Sequence, residues 1–205
     1  MFVSNFCYGE DYDAVASLCK LAPGDVFVDV GANLGQEIQF FSQLGLVMDS
    51  YEPHPYFFDK IVCDFGHIES AKITNAAAWS ENCIRQFYFK KHPAPCPWGN
   101  NHRSGGASLC SEKSNVLSNQ SVKVQCIDIV DIISAHDKIK ILKIDAEGAE
   151  YDILQRLVDT SLIHKPEFIF FEDHERKMRS SSSFMQKKAI FATFAKQKGL
   201  TLYSW

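Results

Sequence analysis

Several things are missing from this 205-residue sequence, and each absence removes a class of protein. No apolar run approaches the roughly 18 residues that a bilayer span needs, so no membrane span is expected. The stretch Met1 to Cys7 is too short and too uncharged for a secretory signal. Basic residues are not in excess: 21 Lys and Arg stand against 25 Asp and Glu, a formal net charge of -4. That balance argues against a nucleic acid, whose phosphates call for a basic face. The seven cysteines contain no C-x-x-C pair, and their number is odd. Neither a disulfide framework nor a zinc site is signalled. Thiols spread singly along a chain fit small apolar core residues in a reducing, cytoplasmic setting. There is no internal repeat and no composition break, so one domain over 1–205 is expected.

What the sequence has is enough apolar residue, 46%, to bury a sizeable core, and an alternation of short β-branched runs with helical spacing. Residues 25–30, bounded by Pro23-Gly24 and Gly31, predict a buried strand. Residues 35–44 have helical spacing and stop at Gly45. A strand over 46–51, a helix over about 56–65 ending near Gly66, and a weaker strand over 71–74 follow. Residues 84–89 and 122–127 predict further strands. Asp128 stands where the N-cap of a helix to about Ala135 belongs. The rhythm resumes with a strand at 140–144, a helix at 149–158, a strand at 167–171, a helix at 184–198 and a last strand at 201–203, while residues 1–20 are expected to be a helical N-terminal region. This order predicts an α/β fold with a doubly wound, mostly parallel sheet, whose ligands bind at the strand carboxyl ends.

The residues with chemical content fall at those ends. Asp29-Val30-Gly31-Ala32-Asn33-Leu34-Gly35 follows a buried strand and opens a helix. Gly31 permits a tight turn and Gly35 a close helix approach, and the helix N-terminus offers N–H groups to an anion. The spacing is G-x-N-x-G, so the dinucleotide pattern G-x-G-x-x-G is not met. S-adenosylmethionine brings only a carboxylate to such a loop, and Asp29 is placed to take its ammonium. Glu52, ending the second strand, suits the two ribose hydroxyls of a nucleoside. Asn75-Ala76-Ala77 ends the third strand; small side chains leave room for adenine, and Asn75 can bond its edge. Asp145-Ala146-Glu147-Gly148 ends the fourth strand, where transferred groups should meet. Lys143 inside that strand requires a buried carboxylate partner. Glu172-Asp173-His174-Glu175 ends the fifth strand and offers His174 as a general base or a donor set for a hard cation.

These segments together resemble the FkbM-type methyltransferase family. The resemblance rests on Phe27 to Gly35, on Tyr51-Glu52-Pro53-His54-Pro55, on Asn75-Ala76-Ala77, on Gly106-Ala107-Ser108-Leu109, on Val124-Gln125-Cys126-Ile127-Asp128, and most specifically on Lys143-Ile144-Asp145-Ala146-Glu147-Gly148-Ala149-Glu150. It implies a Rossmann-like class I methyltransferase fold and O-methylation of hydroxyls on sugars, glycolipids or polyketides. Carried over by position, Asp29, Gly31, Asn33 and Gly35 match the cofactor loop and Glu52 the ribose carboxylate. Ser108, Asp145 and Glu147 match positions near the transfer site. Such sheets usually finish with an antiparallel hairpin, and here a shortened C-terminal hairpin is expected.

The reading is an S-adenosylmethionine-dependent O-methyltransferase with a small-molecule or glycan acceptor. Asp29, Gly31, Asn33, Gly35, Glu52, Asn75, Ala76 and Asp145 are expected to hold the cofactor. Asp145, His174 and Glu147 are the candidate catalytic groups. A divalent metal on Asp145, Glu147 and His174 is an alternative aid. A homo-oligomer stays open. Residues 92–109 are expected to form a lid, stiffened by prolines and hinged at glycines, with Trp98 facing the acceptor and Ser108 at its inner end. Two rivals remain: a non-catalytic interaction protein on the same scaffold, and a nicotinamide-dependent oxidoreductase.

Overall fold

The structure is a computed structural model that describes residues 11–91, 106–178 and 180–205, together with the backbone of Phe2–Cys7. In chain order the elements are β1 (Phe2–Cys7), α1 (Tyr12–Cys19), β2 (Val26–Val30), α2 (Gln36–Phe41), β3 (Val47–Tyr51), α3 (Pro55–Phe65), β4 (Ala71–Thr74), β5 (Ala77–Trp79), β6 (Cys83–Lys90), β7 (Val116–Asp128), α4 (Ile129–Ser134), β8 (Ile139–Ile144), α5 (Glu150–Asp159), β9 (Pro166–Phe171), α6 (Glu175–Met178), α7 (Ser182–Lys198) and β10 (Thr201–Ser204). Local chemistry sets many of these bounds. Pro55 opens α3, where its missing N–H costs nothing. The Asp128 carboxylate accepts from the Val130 N–H at 3.0 Å and caps α4 as expected. Gly199, at φ 64, closes α7 in the left-handed conformation that favours glycine. None of the described helices is long and apolar enough to cross a membrane.

The main sheet has the order β1-β10-β9-β8-β2-β3-β4, and every pairing in it is parallel. Six of its strands alternate with helices; β1 pairs along the outer edge of β10. The chain runs outward from β2 through β3 to β4, then returns to β8 and runs the other way. The switch point therefore lies between β2 and β8, in register from Phe27↔Ile141 to Val30↔Ile144. Side chains alternate across the sheet with the period of two that pleating imposes. Phe27, Met48, Ile141 and Phe170 join Val15, Ile38, Phe41 and Ile61 of α1, α2 and α3 in one core. Val28, Leu142, Ile169 and Phe171 join Ile132, Leu154 and Phe191 of α4, α5 and α7 in the other. The result is the expected sheet covered on both faces.

Two expectations are corrected. The first twenty residues hold a strand, β1, as well as the helix α1. No C-terminal hairpin is present among the described residues: β10 follows the long helix α7 and pairs parallel with β9 on one side and β1 on the other. A helical crossover returns the chain in the same direction, so a strand that follows one adds in parallel.

The third parallel strand is followed by a second, three-stranded sheet of order β5-β7-β6. In it β5 pairs parallel with β7, and β6 antiparallel with β7. Sequence patterning finds β6 and the inner half of β7, but not β5. Its three residues, all buried, are too few to show a period.

Candidate active site

Four strands end level along one sheet edge, and each is followed by a residue that bonds back to its neighbour. The Gly31 N–H donates to Tyr51 O (2.9 Å), Glu52 N–H to Thr74 O (3.0 Å), Asp145 N–H to Val30 O (2.9 Å) and Glu172 N–H to Ile144 O (3.0 Å). One glycine and three carboxylic acids thus stand side by side. The first three border a pocket lined by Gly31, Asn33, Glu52, Asp145 and Glu147, among others. The apolar wall is built by Ala77, Ala78, Phe57, Phe87 and Leu109. His54 also lines it and packs on Phe57 with ring centroids 4.4 Å apart.

Glu52 is almost fully buried. Its Oε2 accepts from the Asn33 N–H and its Oε1 from the His54 N–H, both at 2.7 Å. Burial nevertheless pushes its carboxyl up to about 8. Asn75 does not border the pocket; its side-chain amide donates to the Glu52 carbonyl at 2.8 Å and braces that loop. Ala76 is buried behind the wall, which Ala77 and Ala78 form instead. Gly35 is also not a lining residue. It sits at φ 78, and a Cβ there would meet the Phe65 ring at 2.8 Å, so its smallness serves the packing of α2 against α3.

Asp29 is not among the lining residues of the pocket. It forms a fully buried ion pair with Lys143, Nζ to Oδ1 2.9 Å, and the same ammonium lies 3.3 Å from Glu37 Oε1. Lys143 also donates to the Gly31 carbonyl at 3.0 Å. The carboxylate partner expected for Lys143 is therefore Asp29, whose Oδ2 has no hydrogen-bond partner among the described residues. Burial works against the Lys143 charge, but Asp29 and Glu37 outweigh it and hold its pKa above the ordinary lysine value. Burial raises Asp29 to about 6 even so.

Behind Asp145 lies a denser network. His174 is buried. Its Nδ1 is 2.8 Å from Glu150 Oε1, and its Nε2 is 2.8 Å from Glu147 Oε2, 3.3 Å from Glu172 Oε1 and 3.9 Å from Asp145 Oδ1. Burial opposes charging His174, yet Glu147 and Glu150 override it and push the imidazolium up to about 10. His174 is thus enclosed by carboxylates on both ring nitrogens, which favour its charged form. It does not line the pocket. Asp145 does, and burial pushes its carboxyl up to about 7, with Lys143 opposing and Glu172 assisting. Burial acts on Glu147 too, but His174 and Lys113 hold it well below the ordinary range. The two carboxyl groups have opposite characters within one loop.

Glu147 is fixed further by residues that sequence reasoning missed or placed differently. The buried Lys113 pairs with its Oε2 and donates to the Gly106 carbonyl at 2.8 Å. Nothing in the pattern around Lys113 marks it, because it belongs to a turn. Ser108 is fully buried and does not face the pocket; its hydroxyl donates to the Glu147 carbonyl at 2.6 Å and accepts from the Cys110 N–H at 2.9 Å. Its neighbours Ala107 and Leu109 are the lining residues. Trp98 and most of the expected lid lie outside the described residues. Asp145, Glu150 and His174 offer ligand atoms within 4.8 Å of one another, a spacing that suits a cation. Glu150, however, is bonded to His174 and takes the Gly148 N–H on both oxygens at 3.0 Å. The trio is accounted for as an ion-pair network, and no metal is assigned to it.

A family model described as the methyltransferase FkbM domain matches residues 29–194, from the buried aspartate of β2 to the interior of α7. The chain belongs to the FkbM methyltransferase family. The match spans every strand-end residue of the pocket. No curated protein matches the sequence. Within the FkbM methyltransferase domain, the motif Lys143 to Glu150 supplies the buried ammonium, the pocket carboxyls Asp145 and Glu147, and the carboxylate that holds His174.

Proposed function

We propose that the chain is an S-adenosylmethionine-dependent O-methyltransferase acting on a hydroxyl of a sugar, glycolipid or polyketide-like small molecule. The observation that carries this reading is the pocket at the switch point of an FkbM-family sheet, lined by Gly31, Asn33, Glu52 and Asp145. The donor set fits that cofactor. Glu52 is placed for a ribose diol, the apolar wall for an adenine ring, and the carboxyl groups for a sulfonium. No lysine or arginine lines the pocket among the described residues. A dinucleotide pyrophosphate would face carboxyl groups there, which disfavours the oxidoreductase.

The bound sulfonium supplies an activated methyl group. The protein then has to align an acceptor hydroxyl and receive its proton. Asp145 is the group in reach with a pKa near neutrality, and it takes that proton. Asp29, Glu37 and Lys143 brace the glycine turn from behind.

A mass-shift assay with S-adenosylmethionine and a panel of sugar and polyketide hydroxyl compounds tests the reading. A gain of one methyl group, lost with Asp145→Asn, is the expected result. Transfer only to nitrogen or sulfur acceptors would overturn it.

A further inference from the structure

The acceptor end of the pocket carries two carboxylates that are held differently. Both Asp145 and Glu147 line it, and one imidazole nitrogen spaces them, since His174 Nε2 is 3.9 Å from Asp145 Oδ1 and 2.8 Å from Glu147 Oε2. Glu147 is anchored through one oxygen only. Its Oε2 is approached by His174, by Lys113, and by Lys177 at 3.3 Å. Its backbone is fixed at φ 51, with its carbonyl bonded to Ser108. Among the described residues, nothing hydrogen-bonds to Glu147 Oε1; Asp145 Oδ1 is unpartnered too but sealed from solvent, so the open part of the Asp145 carboxyl is its other oxygen. Each side chain keeps about a fifth of its surface open, 22% for Asp145 and 20% for Glu147. The half-exposed Glu172 adds a third carboxylate on the same side.

Ionised carboxylates only accept hydrogen bonds. Lys113, Lys177 and His174 are taken up on Glu147 Oε2, so the open oxygens present acceptors to the pocket, which hydroxyls can satisfy by donating and a phosphate or carboxylate cannot. Two such groups side by side match two neighbouring hydroxyls better than one. We propose that the acceptor is an uncharged vicinal diol, with the hydroxyl to be methylated bonded to Asp145 and its neighbour bonded to Glu147 Oε1, so that Glu147 determines which of the two receives the methyl group. This rests on the methyl-transfer reading above. In the step, the O–H bond at the first hydroxyl breaks and its proton goes to Asp145. The oxygen bonds the donor methyl, and the methyl–sulfur bond breaks with its electron pair left on a neutral thioether.

The test compares three probes with the wild-type enzyme: a methyl glycopyranoside with free vicinal hydroxyls, its counterpart lacking the neighbouring hydroxyl, and the monophosphate ester of the diol. A hydrogen bond to a charged group is worth about 1.5–3 kcal/mol, so the diol is expected to exceed the deoxy compound in kcat/KM by roughly 10- to 100-fold, with the phosphate ester worst. Glu147→Gln is expected to shrink that preference and to mix the methylated positions seen by NMR. The wild-type comparison stands even if that variant folds poorly. Equal use of the diol and deoxy compounds, or a better phosphate ester, overturns this proposal alone. No transfer to any hydroxyl overturns the methyl-transfer reading and this one with it.

Discussion

Gly31 and Asp145 touch across the switch point: a Cβ on Gly31 would lie 2.0 Å from the Asp145 carbonyl oxygen. No side chain fits that gap, and the φ of 86° at Gly31 independently favours glycine. The turn that opens the pocket and the strand end that carries its base are therefore one packed unit. Gly31→Ala is expected to cost at least the 1–3 kcal/mol or so typical of a strained backbone, and to abolish cofactor binding. Urea unfolding and calorimetry check both. A variant of wild-type stability that still binds would contradict the assigned geometry.

Lys143 is the charge that makes Asp29 and Glu37 tolerable inside the protein. Lys143→Met leaves two buried carboxylates without their cation, a loss expected to cost about 3–5 kcal/mol. Adding Asp29→Asn should recover part of that. Thermal unfolding of the two variants is the check, and a single variant as stable as wild type would show that the pair is not needed.

Two titrations are expected and can be separated. Asp145 faces Lys143, Glu172, His174 and Glu147, and its carboxyl is raised to about 7. It accepts a proton only when ionised, so turnover at saturating cofactor should rise with pH through about 7. Glu52 faces Asp29 and Lys143 and is raised to about 8. Its ionised form is the better acceptor for ribose hydroxyls, so S-adenosylhomocysteine affinity should rise through about 8. Turnover that falls with rising pH across this window would remove Asp145 as the base.

His174 makes an opposite prediction. Its pKa is raised by Glu147 and Glu150 over the opposing effect of burial, so the stability it contributes is complete below the ordinary histidine range. That contribution is lost as pH rises through about 10. The ring resonances in an NMR titration should show no midpoint near neutrality. A midpoint there would restore His174 as a candidate base.

Much of the fold was legible because strand and helix periods are local. Residues 26–30, 139–144 and 166–171 are short β-branched or aromatic runs between turn residues, and the helices between them carry clear apolar faces. The pocket edge was legible for a similar reason: Gly31, Glu52 and Asp145 each stand one residue beyond a strand, and parallel order brings strand ends together. What escaped depends on contacts between distant segments. Nothing beside Asp29 in the sequence shows that Lys143 stands 2.9 Å away. Nor does anything beside His174 show that Glu147 and Glu150 close on both its nitrogens. Asn75 and Ser108 sit beside the pocket in sequence, but their side chains turn inward to hold Glu52 and Glu147. Lys113, in a turn, has no periodicity to betray it. β1 and β10 pair the two ends of the described chain, which no local pattern encodes.

The central claim is that the pocket at the carboxyl edge of β2, β3 and β8 binds the nucleoside and amino-acid parts of S-adenosylmethionine. Isothermal titration of the protein with S-adenosylhomocysteine tests it most directly, with Glu52→Ala alongside. At pH 9, where Glu52 is ionised, saturable micromolar binding is expected, weakened roughly 10- to 100-fold in the variant by loss of a charge-assisted partner of about 1.5–3 kcal/mol. No heat of binding at millimolar ligand, or equal affinity for both proteins, would contradict the account.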